Sequence, residues 1–352
     1  MPTEAAKAKT KELNDRLNIK FERPGAGFLP SVQMMVDRMA AVIGVPAPQL
    51  RLPADGFLKE PLSVEQKNGV NGELGPIYAR ESVDFQAKLM DVPIAESREK
   101  MVSLKDRLAR ADVIVSYSDK PFHPASENGW AGKPREFWVR EGVAGRLELA
   151  ARALNEIGLM LHFEDAFRPV GVQEGLLKRR IAEFVLKEHP DWDPDRDFDK
   201  IMTEAQSKTA IMPRIAGHKG GAAVDVTLKQ IDGSPLPLGN EYPQGDALVN
   251  MDCPYVTSAE WQTRQLFKTV MEMVGMTVYP GEDWHASLGD NLAGANPDGS
   301  AKNNYVAKYG PIKEFDRETG DVIPYPGSEY NEPFFTREQL KQMALQAREN
   351  TL

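Results

Sequence analysis

HKGGAAVD, from His218 to Asp225, is the stretch on which the fold and the chemistry turn, and EDWH, from Glu282 to His285, follows it further along the chain. After Pro213 the segment AGHKGGAAVDVTL becomes β-branched and alternating from Ala222 to Leu228. This pattern predicts a strand that contains Asp225, with His218 on a Gly-rich approach where the backbone turns tightly. Thr257 and Glu260 form a T-x-x-E capping box, and Phe267, Val270, Met271 and Val274 carry a helical stripe that Gly275 stops. A short strand, MTVY, comes next and delivers Glu282, Asp283, Trp284 and His285 at its far end. Rigid elements commonly present reactive groups on loops of this kind.

The same punctuation extends outward. Val143, Leu147, Ala150, Leu154 and Ile157 fall at helical spacing between Glu141 and Ile157, with Gly158 as the stop. LMLHF, Leu159 to Phe163, reads as a buried strand that runs into EDAFRP, where Pro169 ends regular pairing and leaves Arg168 at the exit. Leu177, Ile181, Phe184 and Val185 predict a further helix that ends before Pro190. Near the amino end, Ser31 is expected to cap a short helix through Met34, Met35, Met39 and Val42, stopped by Gly44. A Pro- and Gly-rich extension is expected to follow, to about Pro76. A final amphipathic helix is expected behind Thr336. No internal repeat or low-complexity tract interrupts the pattern.

Composition limits the function classes. The 352 residues hold 43 basic and 52 acidic side chains, a formal net charge of −9, with 41% hydrophobic content. That is enough apolar material for a substantial core, and there is no cationic block to bind nucleic acid. The polar start, MPTEAAKAKTKELNDRLN, lacks a secretory apolar stretch, and no run of about 18 apolar residues could span a bilayer, so a cytoplasmic protein is expected. The single cysteine, Cys253, excludes an internal disulfide and any Cys-rich zinc site. Metal ligands here must be histidines and carboxylates.

Taken one at a time, the polar residues have ordinary explanations. His218 or His285 alone reads as a hydrogen-bonded loop histidine, Asp225 as an acceptor for backbone groups, and Arg168 as an ion-pair partner. Together they say more. Two His and one Asp supply three ligands for a catalytic zinc with an open position for water, while Glu282 and Arg168 supply a base and an electrophilic clamp. His162, in a strand with parity opposite to Asp165, His123 in a PFHP turn and His189 at a helix end are not preferred ligands. Trp284 is expected to pack beneath the metal loop.

His218-x6-Asp225 with Gly221 inside it, Glu282-x-Trp284-His285 after it and Phe167-Arg168-Pro169 before it together resemble the zinc D-alanyl-D-alanine dipeptidases and their D,D-carboxypeptidase relatives. The likeness runs from about Asp112 through NGWAGKPREF, EDAFRP, VDVTL and the turn IDGSPLPLG to His285. The resemblance implies one Zn²⁺ per chain on His218, Asp225 and His285, with Glu282 placed to take a proton from water and Arg168 to stabilise the charge that develops on the substrate carbonyl. It also implies that Asp165 either orients Arg168 or meets a substrate ammonium; as a strand-end acid, Asp165 reads equally well as structural. Two departures stand out. The family commonly has Ser where this chain has Ala216, and an aromatic residue where it has Ala286, so contacts to the substrate are expected to differ.

The expected fold class is α+β, a small, mainly antiparallel sheet flanked by helices. The expected division is an N-terminal extension at 1–111, a catalytic domain at 112–290 and a C-terminal extension at 291–352, with either extension able to form a lid or an oligomer interface. The expected function is zinc-dependent hydrolysis of a small dipeptide-like amide. The alternatives are a different small amide on the same scaffold, a metal-bearing binding protein as in hedgehog signalling domains, and Fe(II) oxygen chemistry. Glu282 and Arg168 argue against mere binding, and the ligand order with its neighbouring Glu argues against iron.

Overall fold

A computed structural model describes residues 4–127 and 129–349. Asn128, the first residue of NGWAGKPREF, lies outside them, as does the side chain of Phe184. The fold is α+β. Its central sheet has five strands: β1 (Ser116–Tyr117), β2 (Leu159–Asp165), β3 (Ala223–Gln230), β4 (Thr277–Val278) and β5 (His285–Ser287), arranged β1-β2-β3-β5-β4. Only the β1–β2 pair is parallel; the other three pairs are antiparallel.

Every residue of β2 is buried, which accounts for the apolar run that only His162 interrupts before the acidic end. The Glu141–Asn155 helix covers the sheet with Val143, Leu147, Ala150 and Leu154, all without exposed surface, and they share one core with Leu161, Phe163, Val224 and Val226. Truncating one of these large side chains to Ala costs about 2–5 kcal/mol. The Ser258–Met273 helix joins the same core through Leu266, Phe267 and Val270, and its Thr257/Glu260 capping box forms as the sequence predicts.

The flanks add helices that the sequence reading placed differently. The first apolar helix spans Phe28–Ile43, so Ser31 lies inside it and Gly27 holds the cap position; Gly44 does end it, at φ 80°. The expected extension to Pro76 contains instead a long helix, Val64–Leu89, with Pro76 in its interior. It begins at a capping box in which Ser63 Oγ accepts from the Gln66 amide at 3.2 Å and the Ser63 amide donates to Gln66 Oε1 at 3.0 Å. Proline removes one backbone hydrogen bond and glycines lower propensity, but tertiary packing of Val70, Leu74 and Tyr78 compensates. Gly69 takes part in that packing, because a Cβ there would sit 2.7 Å from the Leu17 side chain.

The Val170–Arg179 helix continues through a π-helical turn, Arg180–Val185, to Leu186–Glu188. The last helix, Arg337–Glu349, rests Leu340 and Ala344 against Leu177, Ile181 and Ile201, and Thr336 caps it through the Gln339 amide at 3.2 Å. Among the described residues no helix is long and apolar enough to cross a membrane.

Candidate active site

Strand register assembles the site. Asp165 at the end of β2 pairs with Asp225 in β3, and Asp225 pairs with His285 at the start of β5, so three polar residues form a row across three strands. An irregularity between Phe163 and Asp165 shifts the register, as β-bulges do where a strand re-aims a side chain. His218 enters from the 3₁₀ turn Gly217–Gly220, which ends at Gly221 with φ 67°. Only glycine fits there: the left-handed backbone disfavours a side chain, and a Cβ would lie 2.4 Å from Met101 Sδ.

One nitrogen of each imidazole and one Asp225 oxygen converge. Asp225 Oδ1 lies 3.1 Å from His218 Nε2 and 3.0 Å from His285 Nδ1, and the two nitrogens are 3.3 Å apart. The second nitrogen of His218, Nδ1, is 2.7 Å from the Ala166 carbonyl. A carbonyl only accepts, so Nδ1 carries the proton and Nε2 presents a lone pair. Burial lowers the His218 pKa and keeps the ring neutral. A lone pair therefore faces a carboxylate oxygen, an arrangement that a cation between the three donors resolves. His218, Asp225 and His285 are the group of residues, among those described, that could hold a metal ion.

The other carboxylate oxygen of Asp225, Oδ2, accepts from Arg168 Nη2 at 2.5 Å and from Tyr242 Oη at 3.0 Å. Burial opposes the charge of Asp225, yet its neighbours, the Arg168 guanidinium among them, hold its pKa well below the usual carboxylate range. Asp165 fixes Arg168 in turn, accepting from Nε at 2.9 Å with Oδ2 and from the Ala166 amide at 3.0 Å with Oδ1. Burial would likewise lower the Arg168 pKa, but Asp165 and Asp225 raise it above its ordinary value. Glu282 Oε2 stands 3.8 Å from His285 Nδ1. Burial raises its pKa, with His285 acting the other way.

Arg168, Ala216, His218, Glu282 and His285 line one solvent-open cleft of about 800 Å³. Residues from both flanking regions of the chain contribute to its lining, Gln86 and Leu89 from the N-terminal one, Asn291 and Tyr309 from the C-terminal one. Asp165 is not among the residues lining this cleft. Trp284 is buried and meets Tyr242 edge-on, with centroids 5.2 Å apart. The remaining histidines lie outside the cleft: His162 accepts or donates at Ser116 Oγ, 2.8 Å away, and His189 stacks on Trp192.

Sequence reasoning missed Tyr242 and the support behind Glu282. Arg264 is buried and donates to the carbonyls of Leu238 (2.6 Å), Leu248 (2.8 Å) and Asn250 (2.9 Å), while pairing with Asp283 Oδ2 at 2.9 Å. It thereby ties the loop that carries Tyr242 to the loop that carries Glu282 and His285. Burial pushes the Asp283 carboxyl up to about 6, with Arg264 opposing the shift. Arg264→Lys keeps the charge but not the planar fork, and strands buried carbonyls. Equilibrium urea unfolding is expected to show a loss of about 2 kcal/mol; unchanged stability would show that the fork is dispensable.

Residues 133–305 match the D-ala-D-ala dipeptidase family of peptidases. The chain is similar to that family over these residues, just under half of its length. A curated D-alanyl-D-alanine dipeptidase from Synechocystis sp. is similar to it, 29% identical over 198 residues that make up 48% of this chain and 77% of the relative. The family match contains Arg168, His218, Asp225, Glu282 and His285, and the helices before residue 133 lie outside it. This peptidase is a D-Ala-D-Ala dipeptidase-like hydrolase.

Proposed function

We propose that this chain hydrolyses a small dipeptide-like amide, with D-alanyl-D-alanine as the leading substrate, using one zinc ion held by His218, Asp225 and His285. The observation that carries the proposal is the convergence of those three donors beside Glu282 and Arg168 on one cleft. The donor set suits the ion. Tetrahedral coordination with bonds of about 2.0–2.1 Å needs donor separations of about 3.3 Å, and the donors here are 3.0–3.3 Å apart. When bound, zinc supplies Lewis acidity and lowers the pKa of water toward neutrality.

The chain's own residues do the rest. Glu282 takes a proton from the attacking water and returns it to the leaving amine. Asp165 and Asp225 engage Nε and Nη2 of Arg168, which fixes the guanidinium plane and leaves Nη1 for the oxyanion that forms on the substrate. Asp165 is thus a positioning residue, and its oxygens are already engaged. Tyr242 and Arg168 together hold Oδ2 of Asp225, which aims Oδ1 at the two imidazoles. Residues 112–290 form the catalytic part in this reading, while 1–111 and 291–352 narrow the cleft. A cytoplasmic setting belongs to the same proposal and suits a chain whose lone thiol, Cys253, is buried.

The test is to incubate the zinc-loaded protein with D,D-, L,D- and L,L-dipeptides and small N-acyl amino acids and to measure released amine. Ala216 is buried at the cleft wall, where relatives commonly offer a Ser hydroxyl, and a missing hydrogen bond to a buried polar group costs about 1–3 kcal/mol. Ala216→Ser is therefore expected to shift kcat/KM toward D-alanyl-D-alanine by about tenfold to a hundredfold, at the expense of substrates with a bulkier or less polar group near that position. Efficient cleavage of D-alanyl-D-alanine that Ala216→Ser leaves unchanged would show that this position does not set selectivity. Release of amine from none of the panel would sink the hydrolase reading.

A further inference from the structure

Arg140 has no exposed surface and stands where the strand Trp138–Arg140 gives way to the helix Glu141–Asn155. Its backbone amide donates to the Gly221 carbonyl at 2.9 Å, and its Nε donates to the Gly220 carbonyl at 2.7 Å. Both carbonyls belong to the turn that presents His218. Nη1 donates to the Glu99 carbonyl at 2.6 Å and lies 3.0 Å from Glu96 Oε1, while Nη2 donates to Glu96 Oε2 at 3.1 Å and to the Gly310 carbonyl at 3.4 Å. A buried guanidinium with every nitrogen engaged is held in one orientation, and the planar fork is what lets it reach all these acceptors at once.

The acceptors come from both flanking regions of the chain. Glu96 Oε2 also accepts from the Gly310 amide at 2.7 Å, and Tyr309 Oη donates to Glu99 Oε1 at 2.6 Å. The two segments run side by side, with the Ala95 amide on the Ala307 carbonyl at 2.8 Å and the Ser97 amide on the Lys308 carbonyl at 2.9 Å. Gly220 permits their approach to the turn, because a Cβ there would lie 2.9 Å from the Gly310 carbonyl oxygen. Residues 94–99 and 307–310 thus form one belt, outside the residues matched to the peptidase family, and it meets the His218 turn at Arg140.

The turn is where such support counts. Asp225 and His285 are paired across two strands, so the sheet fixes their separation, whereas His218 is the donor that stands outside the sheet. The Ala166 carbonyl on Nδ1 sets the direction of the ring, but its distance from the other two donors depends on where the turn lies. We propose that Arg140 is a positioning residue for His218, and that through Arg140 the belt of flanking segments sets the geometry of the metal-binding donors. This inference rests on the metal reading above and deepens it, giving the two flanking segments a shared role in that site. Arg140 touches neither metal nor substrate; it acts through the backbone of Gly220 and Gly221.

The experiment measures the zinc affinity of the full-length protein by competition with a chromophoric chelator, together with the visible absorption of the cobalt(II)-loaded form, which reports ligand geometry. Arg140→Lys keeps the charge but cannot span the turn and the belt, and it is expected to weaken zinc binding about tenfold to a hundredfold, as changes to groups that orient metal ligands do. Its cobalt spectrum should shift as well. Glu96→Gln leaves Arg140 in place while removing the carboxylate that holds it, and a smaller loss in the same direction is expected. Should Arg140→Lys fail to fold, Glu96→Gln decides. Leu340→Ala is the control for stability alone, since Leu340 packs in a separate helical cluster and lines none of the cleft; its zinc affinity and cobalt spectrum should match the wild type. Folded Arg140→Lys and Glu96→Gln proteins that bind zinc as tightly as the wild type overturn the positioning role alone, as does a loss that Leu340→Ala reproduces. A wild-type protein that binds no zinc overturns the metal reading and this inference with it.

Discussion

Glu282→Gln is expected to lower kcat by about 10²–10⁴-fold while leaving metal content unchanged, because general-base catalysis typically contributes that much. Glutamine keeps the shape of the side chain and can still hydrogen-bond, yet it cannot accept the water proton. The separation of roles follows from position. Glu282 Oε2 is 3.8 Å from His285 Nδ1, whereas the three converging donors stand within 3.3 Å of one another. Substrate affinity should therefore change little, so the loss belongs in kcat. Elemental analysis of the purified variant beside steady-state kinetics checks both halves. A fully active variant would remove the base from the mechanism, and a metal-free one would make Glu282 part of the ligand set instead.

The parts of the fold that were legible in the sequence are those where one local pattern agrees with the burial it produces. The alternation from Ala222 to Leu228 became β3, and the Val143 stripe became a helix whose buried face covers the sheet. Thr257 and Glu260 marked a helix start because a capping box is chemistry between residues three apart. His218, Asp225 and His285 could be grouped beforehand because two histidines and an aspartate at this order and spacing make a three-donor ligand set.

The Val64–Leu89 helix was illegible for the opposite reason. Gly69, Gly72, Gly75 and Pro76 all speak against helix locally, and only packing against other segments of the chain overrides them. Ser31 misled because a serine ahead of an apolar stripe looks like a cap, while the helix had already begun one turn earlier. Tyr242 and Arg264 left no local signal at all. Their importance lies in what they reach, a carboxylate oxygen in β3 and carbonyls of a separate loop, and neither contact follows from spacing.

Removing the metal should abolish turnover and lower the melting temperature together, because the same three donors serve both. The zinc-loaded protein is expected to carry about one ion per chain, and binding to the native state alone stabilises by about 2.7 kcal/mol when free zinc is a hundredfold above Kd. There is an added reason to expect a clear shift. Without a cation, the lone pair of His218 Nε2 faces Asp225 Oδ1 at 3.1 Å, with the ring locked by the Ala166 carbonyl on its other side, so the ring cannot turn its proton inward without losing that bond. His218→Ala removes the conflict and the ligand at once. The variant should be inactive, and its melting temperature should no longer respond to zinc or to a chelator. The measurement is a thermal melt of each protein with chelator and with graded zinc, alongside amine release from the dipeptide panel. A wild-type protein that stays active after exhaustive chelation, with a melting temperature indifferent to zinc, would mean that the His218, Asp225 and His285 cluster holds no catalytic ion.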